Sequence, residues 1–271
     1  MCWEWNHGDL PYLYLPDWQE RGVQTGFSSR NGGVSQGAYS SLNLGLHVGD
    51  SQEDVLRNRE RWFSQFGAAW SDVVVGEQVH SSRVVWVGQN DAGRGANSLE
   101  TSVPQVDGLL TRSSLGLLAF FADCVPLFFY HPVLEAVGIA HAGWKGTVGK
   151  IALRMVEALA EQGGRPEDLW VALGPSIGAC CYEVDEPLAE RFRADFTEIS
   201  FLRPTRPGHY SLDLWQANQI VLREAGVPDA QISVAGLCTA CHQDSFFSHR
   251  RDGIPTGRMA AWIRLIGKGE S

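Results

Sequence analysis

Two histidines and one cysteine stand where predicted strands end, and their side chains are those of a metal site. His80 closes the segment Gly76-Glu77-Gln78-Val79-His80, Cys124 lies within Ala122-Asp123-Cys124-Val125-Pro126, and His141 opens His141-Ala142-Gly143-Trp144-Lys145. Two imidazoles and one thiolate form a ligand set of the type that holds a catalytic Zn²⁺ with its fourth position open. The long spacing leaves a second interpretation, a buried thiol and two hydrogen-bonded core histidines.

The segment that starts at His141 has a second possible role, in binding an anion. A strand end, a glycine-containing turn and a helix start follow one another here, and a helix start presents free N–H groups to an anion. Lys145 and Thr147 stand where they could add a charge and a hydroxyl. The order of residues does not match a P-loop. A phosphate or carboxylate site and an ordinary strand-to-helix connection both remain open.

The other cysteines give weaker signals. Cys238 and Cys241 form a C-x-x-C pair, which is typical of a redox dithiol or half of a zinc site. No second C-x-x-C completes such a site, so two buried thiols on a turn are the favoured interpretation. Cys180 and Cys181 are adjacent, and a disulfide between neighbours would strain its geometry.

Two enzyme classes can be tested on their motifs. Zinc-dependent nucleobase deaminases carry H-x-E followed by P-C-x-x-C, and neither pattern occurs around the cysteines and histidines of this chain. The segment Gly174-Pro175-Ser176-Ile177-Gly178 fits the bare G-x-S-x-G pattern of serine hydrolases. However, Pro175 and the residues that follow do not predict the helix that a nucleophile elbow requires.

Composition narrows the classes further. The formal net charge of −9 argues against a nucleic-acid surface, which normally shows basic clusters. The first residues lack the basic and apolar regions of a signal peptide, and no apolar run is long enough to cross a membrane. We therefore expect a cytoplasmic, monomeric protein that binds no membrane or nucleic acid, with its six cysteines reduced or bound to metal.

Hydrophobic periodicity predicts interleaved strands and helices in one domain over 1–271. The predicted strands are Val23–Ser28, Val73–Gly76, Val84–Val87, Gly116–Phe121, Leu127–Tyr130, Ala136–Ala140, Trp170–Leu173, Ile232–Leu237 and Arg258–Ile266. The predicted helices start near Asp50 or Ser51, follow the segment Gly143–Thr147 and run through about Gln162, and cover Glu186–Phe196 and Asp213–Ala225. The elements do not alternate strictly as βαβ units. The expected fold class is α+β (mixed α/β), with mixed sheets packed with helices and not a simple Rossmann fold.

Taken together, these segments resemble one family. The chain from about Thr25 to Leu265 is similar to the laccase-domain or polyphenol oxidase family, whose members have been reassigned as purine nucleoside phosphorylases. The similarity rests on Gly26–Ser35, Ser41–Gly45, Gln78-Val79-His80, Asp107-Gly108-Leu109, Ala122–Pro126, His141–Thr147, Gly174–Gly178 with Cys181–Val184, Phe246–Arg251 and Thr256-Gly257-Arg258.

The resemblance places His80, Cys124 and His141 on the family's zinc-ligand positions. It implies cleavage of adenosine, inosine or guanosine by phosphate, and it also implies cleavage of methylthioadenosine and deamination of adenosine. A multicopper oxidase is disfavoured, because blue copper clusters use many histidines in H-x-H pairs. This chain has eight histidines and no such pair, so zinc is preferred to copper.

On this hypothesis the remaining polar residues bind substrate. Lys145, Arg30 and the amides near Thr147 are the candidates to hold phosphate, while Asn43 and Gln78 are candidates to hydrogen-bond the base or ribose.

Two alternative functions stay open. One is a metal-free cysteine hydrolase with Cys124 as nucleophile and a histidine base, by analogy with deamidating toxins of similar fold. The other is a binding protein whose zinc is structural and closed by Cys238 or Cys241.

Overall fold

The computed structural model describes residues 2–266. Within that range the strands are β1 Glu4–Asn6, β2 Tyr12–Tyr14, β3 Val23–Ser28, β4 Val73–Val75, β5 Val84–Trp86, β6 Gly108–Thr111, β7 Gly116–Phe121, β8 Val125–His131, β9 Ala136–Ala142, β10 Trp170–Leu173, β11 Glu183–Asp185, β12 Leu202–Arg206, β13 His209–Leu212, β14 Ile232–Val234 and β15 Met259–Leu265. The helices are α1 Pro16–Gln19, α2 Gln52–Ser64, α3 Trp144–Val148, α4 Ile151–Ala160, α5 Glu186–Asp195, α6 Leu214–Glu224 and α7 His249–Asp252.

The strands form two six-stranded mixed sheets and one small sheet. The first large sheet has the order β1-β2-β3-β15-β7-β4, and the second has the order β14-β10-β8-β9-β6-β5. Most neighbours are antiparallel, whereas β4–β7, β5–β6 and β10–β14 are parallel. The small sheet, β11-β13-β12, is antiparallel. The predicted α+β class, with mixed sheets and helices, is confirmed.

The two large sheets pack face to face, and helices cover their outer faces. On β8, Phe128 belongs to the core shared by the two sheets, whereas Leu127 and Phe129 pack on the helix side with α4 and α6 residues. On β15, Trp262 packs with Trp62 of α2 on the opposite outer face. Side chains alternate along a strand, so a strand buried on both faces is apolar throughout. This is why the central strands are recognisable in the sequence as continuous apolar runs.

Some predicted boundaries were wrong. The helix expected after Gly143–Thr147 is α4, and it is preceded by a short separate helix, α3, because Lys150 between them adopts a left-handed conformation with φ of 58°. The small sheet was not predicted, since β12 is largely exposed and carries two arginines. Helix α2 begins as expected, with the Ser51 side chain accepting a hydrogen bond from the Asp54 amide. The single domain over 1–271 stays a prediction, and Met1 and 267–271 lie outside the described residues.

Candidate metal centre

Three chain segments bring His80, Cys124 and His141 together. Their ligand atoms all lie within 4.8 Å of one another, and the two imidazole rings are 4.8 Å apart between centroids. His80 lies in the loop between β4 and β5, Cys124 immediately precedes β8, and His141 lies near the end of β9. The antiparallel register pairs Pro126 with His141 and Val125 with Ala142, which places Cys124 beside the histidine. The set can hold a single metal ion with three protein ligands.

The backbone is unusual at two points beside this centre. His80 has φ of 60° and Asp123, next to Cys124, has φ of 86°, so both residues occupy the left-handed region that is rare outside glycine. Such residues cost about 1–3 kcal/mol and persist where their surroundings hold them. The Asp123 carboxylate accepts hydrogen bonds of 2.6 Å from both the Thr239 hydroxyl and the Arg250 amide. These bonds fix the turn that carries the thiol.

A buried carboxylate, Asp107, connects two of the ligands. Asp107 accepts a 2.9 Å hydrogen bond from His141 Nδ1 and further bonds from the amides of Val79, His80 and Ser81. Burial would raise the pKa of Asp107, but the bonds and charge of His141 and the bonds of Ser81 bring it below its ordinary value. A carboxylate on the second ring nitrogen is the usual outer partner of a metal-bound histidine. Asp107 thereby leaves Nε2 of His141 for a metal.

Cys124 and His141 also change each other's protonation. Burial would raise the pKa of the Cys124 thiol, but the charges and hydrogen bonds of His141 and His80 lower it to about 6. Burial would lower the pKa of His141, but Cys124 and Asp107 raise it to about 9. Each residue of the pair thus favours the charged form of the other, the Cys124 thiolate and the His141 imidazolium. A thiolate is the form that binds a metal and also the form that acts as a nucleophile.

Gly143 keeps the space beside the thiolate open. A Cβ atom at this position would lie 2.8 Å from Cys124 Sγ and 3.3 Å from His80 Cδ2. The φ of Gly143 is −73°, which any residue adopts, so glycine is required here for room and not for backbone freedom. Any larger residue at this position would press on two of the three ligands.

The centre lies in a cavity of about 530 Å³, within the size range of small-molecule sites. Apolar and aromatic side chains share the walls with cations and imidazoles. The lining residues are His47, Gln78, His80, Phe120, Ala122, Asp123, Cys124, His141, Trp144, Ile177, Tyr182, Leu214, His249, Arg250 and Arg258. The cavity therefore offers an aromatic surface and positive charge close to the three ligands.

The polar residues predicted to bind substrate are placed in different ways. Gln78 lines the cavity, where its amide nitrogen donates to the carbonyl of Phe120 at 2.9 Å and its amide oxygen accepts from the Phe120 amide at 2.8 Å. Lys145 is exposed, with Nζ 5.6 Å from the centre of the Trp144 ring, and is not among the lining residues. Thr147 is fully buried, and its hydroxyl accepts a bond from Asn218. Its amide donates to the Gly143 carbonyl within α3.

Arg30 and Asn43 lie outside the cavity lining. The Arg30 guanidinium donates to the carbonyls of Ser40 and Gln243 and covers the Phe247 ring at 4.5 Å. Asn43 is fully buried, and its oxygen accepts a 2.9 Å bond from the Arg258 amide. Asn43 thus holds the backbone of Arg258, a residue that lines the cavity, without lining it itself.

Several residues around the centre were not singled out from the sequence. Asp107 belongs to a segment that carried the family resemblance, but nothing local links it to the amides that it binds almost 30 residues earlier. Arg250 and Arg258 likewise lie within segments that carry the family resemblance. Their positive charge, together with the prediction of an anion site, could have indicated them as phosphate-binding candidates. Cys238 and Cys241 lie with Cys180 and Cys181 in a separate group, and they are not part of the three-ligand set.

Three potential metal ligands line one cavity, and among them no fourth protein ligand closes the set within the described residues. Residues 24–266 match the family model described as multi-copper polyphenol oxidoreductase laccase, and the chain belongs to this family. The resemblance seen in the sequence is therefore confirmed.

Similar proteins extend over nearly the whole chain. Purine nucleoside phosphorylase YlmD of Geobacillus stearothermophilus is 46% identical over 251 residues, covering 89% of this chain and 90% of that protein. Adenosine deaminase RL5, from an unknown prokaryotic organism, is 36% identical over 241 residues, covering 88% of this chain and 92% of that protein. The crystal structure of YlmD from Geobacillus stearothermophilus superposes with a TM-score of 0.91 at 42% identity, covering 94% and 96% of the two chains. The names of these relatives support an enzyme.

No helix among the described residues combines the length and apolar character needed to cross a membrane.

Proposed function

We propose that this protein cleaves purine nucleosides with phosphate at a zinc centre held by His80, Cys124 and His141. The observation that carries the proposal is the convergence of these three ligand atoms, within 4.8 Å of one another, in a cavity of small-molecule size. Relatives at 46% and 42% identity are named purine nucleoside phosphorylases, which supports this substrate class. The cytoplasmic location and the monomeric state remain predictions from the sequence.

The donor set fits zinc. Two imidazoles and a thiolate are common zinc ligands, and the Asp107 bond to His141 Nδ1 supplies the outer partner that such sites use. The three-ligand set contains only two histidines, which are too few for a trinuclear copper cluster. Bound zinc would polarise a substrate atom or lower the pKa of a bound water toward neutrality. This centre is therefore suited to cleavage or hydrolytic chemistry more than to electron transfer.

The chain's own residues would then orient the two substrates. The rings of Phe120, Trp144 and Tyr182 line the cavity and offer surfaces against which a purine can stack. Gln78 retains one amide hydrogen and one oxygen lone pair beyond its bonds to Phe120, so it can still bond to the base or ribose. The two bonds to the backbone of β7 fix the position of the Gln78 side chain before substrate binds.

Phosphate would be held by cations of the same cavity. Arg258 lines it, and Nη1 of its side chain donates to the carbonyls of Thr256 and Gly257, which fixes the guanidinium. Burial lowers the pKa of Arg258, while nearby Cys124 and Asp123 oppose that shift. A fixed, partly desolvated guanidinium binds phosphate oxygens well. Arg250, which also lines the cavity, is the second cation in reach.

Base release is the direct test of the reaction. With inosine or adenosine, we expect release of the free base to require phosphate, to stop when the metal is removed by a chelator, and to return when zinc is restored. Metal analysis of protein purified under reducing conditions should find zinc in excess of copper. Ammonia released from adenosine without phosphate would instead identify deamination, the reaction that the name of RL5 describes. Base release at the same rate in the absence of phosphate would contradict phosphorolysis.

A cysteine hydrolase is the second candidate, because the ligand atoms of Cys124 and His141 lie within 4.8 Å of each other and each residue favours the charged form of the other. The same assay separates the two functions. In the hydrolase, chelation changes nothing and alkylation of Cys124 abolishes activity with a covalent adduct. In the zinc enzyme, bound metal protects Cys124 from alkylation. Activity that survives complete removal of metal would therefore reject the zinc mechanism.

The phosphate site can be located by comparing two cations. We expect Arg258→Ala to raise the KM for phosphate by about 10–100-fold, because the variant loses a charged hydrogen-bond donor to the anion. Lys145→Ala is the matched variant outside the cavity, and an exposed lysine contributes little to folding. Both KM values should be measured by base release at saturating nucleoside. A larger rise for Lys145→Ala would place phosphate at the start of α3, as the sequence predicts, and would contradict the assignment to Arg258.

A further inference from the structure

A second cluster of thiols lies apart from the candidate metal centre. Cys180, Cys181, Cys238 and Cys241 place their sulfur atoms within 4.8 Å of one another. Sγ of Cys241 is 3.6 Å from Sγ of Cys180 and 3.4 Å from Sγ of Cys181, although the chain separates these residues by about 60 positions. The C-x-x-C pair, which lacked a partner in the sequence, is thus completed by an adjacent pair of cysteines.

The spacing of the four sulfur atoms suits one tetrahedral ion. Zinc–sulfur bonds of about 2.3 Å place the sulfurs of a tetrahedral site about 3.8 Å apart. The distances of 3.4 and 3.6 Å lie near this value, and the upper limit of 4.8 Å for the whole group leaves the sulfurs gathered around one point. Four thiolates with no carboxylate or imidazole form a soft donor set that selects zinc or a single iron over harder cations.

Backbone contacts hold the two cysteine segments together. The Gly178 amide donates a hydrogen bond of 3.2 Å to Sγ of Cys238, a contact that stabilises a negatively charged sulfur. A Cβ atom on Gly178 would lie 3.3 Å from Sγ of Cys180 and from Cβ of Cys238, so the small residue lets the two segments approach closely. Ser176 pairs with Cys238 as an isolated parallel bridge. These contacts between the two segments hold the four sulfur atoms in place relative to one another.

This cluster also lies directly behind the cavity walls. Ile177 and Tyr182, which flank the first pair of cysteines, line the cavity. Thr239, between the second pair, donates its hydroxyl to Asp123, whose neighbour in the chain is Cys124. An ion shared by the two segments would connect the wall of the cavity to the turn that carries a ligand of the first centre.

We propose that Cys180, Cys181, Cys238 and Cys241 bind a second zinc ion, in a closed structural site that fastens the segments 174–182 and 237–242 together. All four positions are filled by protein, so this ion has no place for substrate. It would act by holding the walls of the cavity in position. The proposal stands on the thiol geometry and does not depend on the reaction catalysed at the first centre.

Metal stoichiometry tests the proposal without reference to activity. Under reducing conditions and without added chelator, we expect two zinc ions per chain. The double variant Cys180→Ser, Cys241→Ser removes two exposed ligands and should retain one ion, because a hydroxyl is a poorer zinc ligand than a thiolate. Cys2→Ser, which changes an exposed cysteine outside both groups, is the matched control and should retain two. One ion per chain in both the unaltered protein and the double variant would overturn the proposal.

Cobalt substitution gives a second measurement in case the double variant does not fold. Titration of the unaltered metal-free protein with Co²⁺ should fill two sites, of which the four-thiolate site gives about four times the sulfur-to-cobalt absorption of the site with one thiolate. A titration that saturates at one equivalent would contradict the second site. A disulfide within this group, found by intact mass in protein purified without reductant and still present after zinc is added, would show that these cysteines act as a redox pair instead.

Discussion

Cys124→Ser is expected to lose zinc from the candidate metal centre and nucleoside phosphorolysis together, with the rate of base release falling by more than about 1000-fold. The side chain stays small, but a hard hydroxyl with a high pKa replaces a thiolate. His80→Ala and His141→Ala should have effects of similar size. Because the three ligands act as one unit, a double variant should be little worse than either single variant.

The experiment measures zinc content and base release on the same samples. Cys2→Ser is the control for loss of a thiol, since Cys2 is exposed and belongs to neither cysteine group. Circular dichroism would show that each variant is folded. A Cys124→Ser protein that keeps its zinc but loses all activity would indicate a nucleophilic cysteine and would support the hydrolase. A variant that loses its zinc and remains fully active would reject the metal centre as the catalytic site.

Asp107→Asn is expected to weaken zinc binding by about 10–100-fold, the usual cost of changing the outer partner of a metal-bound histidine. The carboxylate of Asp107 accepts bonds from the His141 ring and from the backbone amides of Val79, His80 and Ser81. An asparagine side chain has only one acceptor oxygen, so it cannot accept all of these bonds. We expect a loss of about 2–3 kcal/mol in the free energy of unfolding, because buried donors lose a charged acceptor.

Zinc affinity measured by competition with a chelator, together with urea unfolding, would check this result. Ser81→Ala removes the 2.8 Å hydroxyl bond to Asp107 and leaves the bond to His141, so it controls for general loosening of the loop. The pKa of Asp107 is below its ordinary value of 3.8, so its contribution to stability is fully present above that pH and is lost as pH falls through the folded-state pKa. Asp107→Asn should remove this part of the acid sensitivity. Equal zinc affinity for Asp107→Asn and the unaltered protein would contradict the role assigned to Asp107.

The central strands could be predicted because their sequences are constrained on both faces. Segments such as Gly116–Phe121 and 136–140 pack against a second sheet on one side and helices on the other, which favours apolar residues throughout. The ends of these strands were then the natural places to look for polar side chains that share a site. The small sheet β11-β13-β12 lacks this constraint, since most of β12 is exposed.

The features missed from the sequence depend on contacts between distant segments. Asp107 owes its role to amides and an imidazole that no local pattern connects to it. The four-cysteine cluster joins two pairs about 60 residues apart, and neither pair has a familiar spacing to the other. Lys150 breaks a helix that its neighbours favour, through a backbone conformation that lysine rarely adopts.

The hydrogen bonds of Asp107 have a consequence for how the candidate centre exchanges its ion. These are bonds between protein groups that join the loop of His80 to the ring of His141, and the bonds of Asp123 likewise hold the turn before Cys124. Taking up an ion therefore orders little additional chain and costs little conformational entropy, unlike in small domains that fold only around their metal. We therefore expect the centre to exchange its ion without unfolding, so that metal supply and ligand preference decide which ion it holds.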